Sequence, residues 1–190
     1  MGAYDITLAF GSTILQEQVK LLLRQNSYTI KETEARGPDM LRAFTVSPPN
    51  LLLTDYEYFG AGYLESLRIL VEDRICPVVI VLGDPERASI GEALESNENL
   101  HIIQKPVNKS AFINKLAFII KNVEKLNELE KKIMDLKAAL ETRKIMDKAK
   151  NILMKRYDID EEKAHRLIQK RSMDTGRPVR SIALDILASV

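Results

Sequence analysis

Between Pro106 and Gly176 the chain contains neither glycine nor proline. A run this long without a residue that breaks helices is committed to helix, and it dictates the architecture on either side of it. Asn108 or Ser110 can cap its start. Apolar residues then recur at Leu116, Ile119, Val123, Leu126, Leu129, Ile133, Leu136 and Leu140. The steps of three and four make a heptad seam with one three-residue slip between Leu126 and Leu129. Charges surround the seam, including Glu128 and Lys132 at i, i+4. So long and polar a helix has no means of burying its stripe by itself. It either folds back on its own domain or pairs with a second copy; the expectation is a homodimer joined by a coiled coil over 108–141.

The helix is expected to break near Tyr157–Asp160. Asp160 is a good N-cap, and Glu161 and Glu162 suit the positive end of the next helix. Ala164, Leu167, Ile168 and Met173 are read as its core face. Gly176 suits the residue that follows a helix, and Pro178 can start another at no hydrogen-bonding cost. Val179, Ile182, Ala183, Ile186 and Leu187 form the last stripe. With Ile152, Leu153 and Met154 these make a small all-α three-helix domain over 142–190, too small to be very stable alone.

Ahead of the long helix, short apolar runs alternate with helical spacing. Ile6–Phe10, Tyr28–Lys31, Leu51–Thr54, Val78–Leu82 and Leu100–Gln104 read as strands. Ile14–Leu23, Met40–Phe44, Tyr63–Val71 and a weak Ala88–Leu94 read as helices, the second closed by Ser47-Pro48-Pro49. Continuous apolar strands separated by helices describe a doubly wound α/β domain with a five-stranded parallel sheet, placed at 1–120.

Net charge of +1 hides a division. Residues 1–106 hold 9 Lys+Arg against 15 Asp+Glu, and residues 107–190 hold 19 against 12. Residues 142–190 alone hold 12 against 7, enough for a surface that meets phosphate. The candidates are Lys148, Lys155, Arg156, Arg166, Lys170, Arg171, Arg177 and Arg180; Arg suits contacts where a planar fork meets phosphate or a base edge. Tyr157 could stack on a base or pack at the interhelix corner.

The first 120 residues resemble the receiver domain of bacterial two-component response regulators. The likeness rests on LLLTD (Leu51–Asp55) closing the third strand and IIQKP (Ile102–Pro106) closing the fifth. It implies that Asp55 stands at the phosphoacceptor position and Lys105 at the lysine that contacts the phosphoryl group. It also implies an acidic pair after the first strand that holds Mg²⁺. Here that stretch is Ala9-Phe10-Gly11-Ser12, without a carboxylate, and Leu82-Gly83 stand where the fourth strand usually ends in Thr or Ser. Tyr58-Phe59 replace the usual Met-Pro. A hard cation needs several oxygen ligands, and phosphoryl transfer needs the charge neutralised. Asp55, even with Glu57, makes a poor Mg²⁺ site. The domain is therefore read as a pseudo-receiver, with Asp55 an ordinary carboxylate paired with Lys105, no cofactor, and control by a protein partner or by ligand-dependent release from one.

The C-terminal segment resembles the ANTAR domain, the RNA-binding module of transcription antitermination regulators. The matching positions are Ala149, Lys150, Ile152, Leu153 and Met154; Ala164 and Leu167; Met173; then Arg177, Ile182, Ala183 and Ile186. His165 stands where Tyr is usual and Ser172 where Ala is frequent. The order receiver, coiled coil, ANTAR is itself that family's. The resemblance implies a signal-dependent regulator whose dimers bind mRNA leader stem-loops and prevent a terminator hairpin from forming. Two rival readings are a phosphorylation-dependent regulator in which Asp55 works, and a protein–protein scaffold that binds no RNA.

Other chemistries find no support. His101 and His165 lie in unrelated stretches, so no metal site is expected. There is no nucleophilic triad pattern, and Gly60 and Gly62 lack the rest of a nucleotide fingerprint. The chain is not expected to be an enzyme. Cys76 is the single cysteine, read as a buried inert thiol in a reducing cytoplasm. No apolar run approaches the ~20 residues that cross a bilayer. MGAYDITL has no secretion pattern, and Ile6 spoils Gly2 as an acylation site.

Overall fold

Five apolar runs become five strands because each is long enough for one pass of a sheet and is stopped by turn residues. In the computed structural model, which describes residues 4–106 and 108–189 and only the backbone at 60–63 and 93, these are β1 (Asp5–Ala9), β2 (Thr29–Glu32), β3 (Leu51–Asp55), β4 (Val78–Leu82) and β5 (Leu100–Gln104). Gly2 lies outside the described residues. All neighbours are parallel, in the order β2-β1-β3-β4-β5. β3 and β4 are buried at every position, as central strands covered on both faces must be.

Alternation along β3 divides the core in two. Leu52 packs with Met40, Phe44, Phe59, Leu67 and Leu70 beneath α2 (Gly37–Val46) and α3 (Tyr56–Glu72). Leu51 and Leu53 pack on the opposite face with Val19 and Leu23 of α1 (Thr13–Gln25) and with Phe112, Leu116, Ile119, Ile120 and Val123 of α6 (Lys109–Tyr157). These last residues correct the seam. Leu116, Ile119 and Val123 are 5% exposed or less and are spent covering their own sheet, so they are not a dimer surface.

Two helices differ from the sequence reading. α3 begins at Tyr56, directly after β3, rather than at Tyr63, because Asp55 caps it at once. Gly60 and Gly62 thus lie within a helix and not in a phosphate loop. The weak fourth helix is two pieces, α4 (Asp84–Ile90) and α5 (Glu92–Glu95), parted at Gly91, whose φ of 83° ends helical geometry.

α6 starts where Asn108 caps it, with the Ala111 N–H donating to Asn108 Oδ1 at 2.8 Å. The chain divides within it into two compact units, Met1–Glu124 and Lys125–Val190. In the second, α6 ends at Tyr157 and Asp158 takes a positive φ of 50°. Asp160 then caps α7 (Glu161–Thr175), accepting from the Lys163 N–H at 2.8 Å. Gly176, at φ 64°, closes α7 in the left-handed conformation, and Pro178 leads into α8 (Val179–Ala188). The core is Ile145, Ala149, Leu153, Ala164, Ile168, Ile182, Ala183 and Ile186. Leu167 and Met173, expected inside, are 47% and 75% exposed. Ala164 and Ile168 already fill α7's narrow contact with its two neighbours, and Leu167 sits one residue, about 100°, around the helix from Ile168.

Candidate nucleic-acid interface

At the carboxyl end of β3, Asp55 is fully buried. Its Oδ1 accepts from the Gly11 N–H at 2.8 Å and the Tyr58 N–H at 2.9 Å; its Oδ2 accepts from the Ser12 N–H at 3.3 Å. The carboxylate thus ties the β1–α1 turn to the first turn of α3. Gly11 makes this possible: a Cβ there would lie 2.6 Å from Glu57 Cβ and 2.8 Å from the Tyr58 nitrogen. Thr54 adds a second tie, its hydroxyl donating to the Ala9 carbonyl at 2.6 Å.

Lys105 does not take part. Among the described residues it makes no ion pair with Asp55. It lines a small cleft with Leu15, Leu22, Val81, Lys109 and Phe112, on the side of the sheet covered by α1 and α6. The expected Asp55–Lys105 pair is therefore corrected: among the described residues the carboxylate is held by backbone amides and not by the lysine. These residues do not suit Mg²⁺. Both Asp55 oxygens are engaged by N–H groups, Ala9 and Phe10 offer no oxygen side chain, and no group of three His, Cys, Asp or Glu among the described residues could hold a metal. Beside this knot, Arg36 lies 5.0 Å above the Tyr58 ring, and burial pushes the Tyr58 phenol up to about 12 against the opposing pull of Arg36.

In the second unit the eight candidate cations are all exposed and fall into two groups. Three have partners of their own. Arg166 pairs with Glu162 one turn earlier on α7. Arg177 pairs with Asp185 at 2.7 Å and donates to the Ser181 hydroxyl. Arg156 donates to the Ser189 carbonyl at 3.0 Å and so helps to close the end of α8. Lys148, Lys155, Lys170, Arg171 and Arg180 make no ion pair among the described residues. Arg156, whose partners are the neutral oxygens of Ser189, likewise makes no ion pair among the described residues.

Two clefts flank α7, and they differ in character. One holds Met146, Lys150, Glu161 and His165, and its charge is internally balanced. Lys150 bridges Asp147 at 2.7 Å and Glu161 at 2.6 Å, and those two carboxylates, Asp147 the stronger, hold its ammonium above the ordinary lysine range. The other, of about 500 Å³, has a floor of Leu153, Ile168 and Ile186, with Leu167 and Tyr157 at its mouth. Lys170, Arg171 and Asp174 form its polar rim. Spacing explains the grouping: 167, 170, 171 and 174 are one face of α7, and 153 and 157 are one face of α6. Sequence reasoning proposed Lys170 and Arg171 but misplaced Leu167 and passed over Asp174. Leu167 could have been found from its phase, one step off the Ala164–Ile168 stripe.

Comparison with known proteins agrees with this division. The ANTAR domain family matches residues 134–187. Over 185 residues, 97% of this chain and 90% of the relative, the sequence is 20% identical to the transcriptional regulatory protein PdtaR of Mycobacterium tuberculosis. The receiver-type unit is similar to a CheY-like response regulator receiver domain protein from Methanospirillum hungatei (TM-score 0.52, 16% identity, 64% of this chain and 97% of the other). It is also similar to a response regulator receiver domain protein from Clostridium thermocellum (TM-score 0.51, 19% identity, 66% and 97%). These two likenesses establish the fold of the first unit.

Proposed function

We propose that this chain, an ANTAR response regulator with a receiver-fold domain ahead of its ANTAR domain, is an RNA-binding transcription antitermination regulator that acts on stem-loops in mRNA leaders. One observation carries the reading: Lys148, Lys155, Lys170, Arg171 and Arg180 are exposed cations that make no ion pair among the described residues, in a unit that is otherwise a small helical core. Folded RNA presents phosphates and unstacked loop bases, which suit such a surface. The pseudo-receiver supplies the signal through a protein partner rather than through phosphate, since the stretch Ala9-Phe10-Gly11-Ser12 after β1 offers no carboxylate to hold Mg²⁺ beside Asp55.

The active form is a homodimer through the remaining seam. Leu126, Leu129, Ile133, Leu136 and Leu140 are each between 45% and 65% exposed, a stripe that a second copy in register would cover. Two paired subunits would present two cationic surfaces to a leader with two stem-loops. A gel-shift titration of the full chain with a two-hairpin RNA tests this. Affinity should fall steeply with salt, and Lys170→Ala with Arg171→Ala should weaken binding together with its salt dependence. Binding that is weak, insensitive to salt and unchanged by both substitutions refutes it.

A further inference from the structure

We infer that the cleft between Tyr157 and Leu167 receives one unpaired nucleobase, with Lys170 and Arg171 holding the flanking phosphates and Asp174 accepting a hydrogen bond from the base edge. The inference rests on the RNA-binding reading and gives it a specific pocket.

Four observations converge. Tyr157 is 58% exposed and Leu167 47%, an aromatic and an aliphatic face left in solvent beside a complete core. They flank a cavity of about 500 Å³, within the ~300–1,000 Å³ range of small-molecule pockets. The floor is apolar, so a charged or fully hydrated group gains nothing by entering, whereas a base has a π-face that stacks on any aromatic ring. The rim is two cations with no ion pair among the described residues, which complements the phosphates on either side of an extruded nucleotide.

Asp174 narrows the ligand. Its carboxylate has no hydrogen-bond or ion-pair partner among the described residues, although Lys170 and Arg171 share its helix face. A phosphate beside it would be repelled. The edge of a base that carries N–H donors would be held, as when Asp or Glu accepts from a cytosine amine. The pocket therefore favours a base edge rich in N–H donors, as the amino groups of adenine, cytosine and guanine supply, over the carbonyl-flanked edge of uracil with its single N3–H. The opposite cleft around His165 lacks these features, because Lys150 is neutralised there by Asp147 and Glu161.

The test uses the full chain and a pool of RNA hairpins with a fixed stem and a randomised loop. The best-bound loop is remade with an abasic site at each loop position in turn. One abasic site should weaken binding on the order of ten-fold, the cost of a lost stack. Tyr157→Ala should cost a similar factor on the intact loop and nothing further on that abasic RNA. Asp174→Ala should relax the base preference at that position alone. Tyr157→Phe should restore the affinity, and thermal melts should show each variant folded. If hairpins bind with strong salt dependence but no abasic position couples to Tyr157, the pocket is refuted and the RNA reading stands. If no hairpin in the pool binds, both fall together.

Discussion

Asp55 does structural work at residue scale: both its oxygens accept from backbone amides and tie the β1–α1 turn to α3. Asp55→Ala would strand three N–H groups beneath the β1–α1 turn, two of them donors to one oxygen. The expected loss is about 3 kcal/mol or more in chemical denaturation, since an unsatisfied buried donor costs about 1–3 kcal/mol. Asp55→Asn should lose less, because one carbonyl oxygen remains. The wild-type chain, incubated with a small phosphodonor and Mg²⁺, should show an unchanged intact mass; a labile phosphate adduct would restore the phosphorylation-dependent reading. His101 gives a second test. Its Nε2 is buried without a hydrogen-bond partner among the described residues, and burial lowers its pKa from the ordinary 6.5. The unfolded chain therefore binds a proton more readily than the folded one. His101 favours the fold above about pH 6.5, and that contribution is lost as pH falls. His101→Leu should flatten the decline in melting temperature between pH 7 and pH 5, whereas an unchanged slope would assign the decline to other groups. Cys76 is held inert by the same physics, burial pushing its thiol up to about 12.

At the scale of one element, α6 is a single helix with two kinds of apolar face. Its first turns close the core of the sheet, and its middle carries a stripe open to solvent. The same substitution should therefore have opposite readouts along it. Leu116→Ala should cost about 2–5 kcal/mol of stability, the usual range for emptying a packed leucine site. Ile133→Ala should leave the melt of the monomer nearly unchanged but lower the sedimentation-measured dimer fraction. A monomer at all concentrations, with or without Ile133, would rule out the seam. In α7, Asp160→Ala should cost about 1 kcal/mol through loss of the cap on Lys163.

The whole molecule divides its charge by task. The acidic first half carries the fold of a receiver, and the basic second half carries Lys148, Lys155, Lys170, Arg171 and Arg180, exposed cations that make no ion pair among the described residues. Replacing both Lys170 and Arg171 with Ala in the full chain should reduce the log-log salt slope of RNA binding by about two, one for each phosphate contact. Arg166→Ala and Arg177→Ala should change it less, because Glu162 and Asp185 already offset those charges. Equal effects at all four positions would mean that net charge, and not a defined surface, governs binding.

The order of strands and helices, the long helix and its caps at Asn108, Asp160 and Gly176 were legible in the sequence, because each rests on local rules: period, capping chemistry and the absence of helix breakers. β4 and β5 fall at the expected residues. Three-dimensional packing alone decided which members of a continuous heptad face inward. Leu116 and Leu140 are the same residue at equivalent positions of the seam, yet the sheet lies over the first and not the second. It also decided that Lys105 and Asp55 part company, and that Leu167 opens onto a cleft instead of closing a core. Periodicity records which side of a helix is apolar; it holds no information about what, if anything, is pressed against that side.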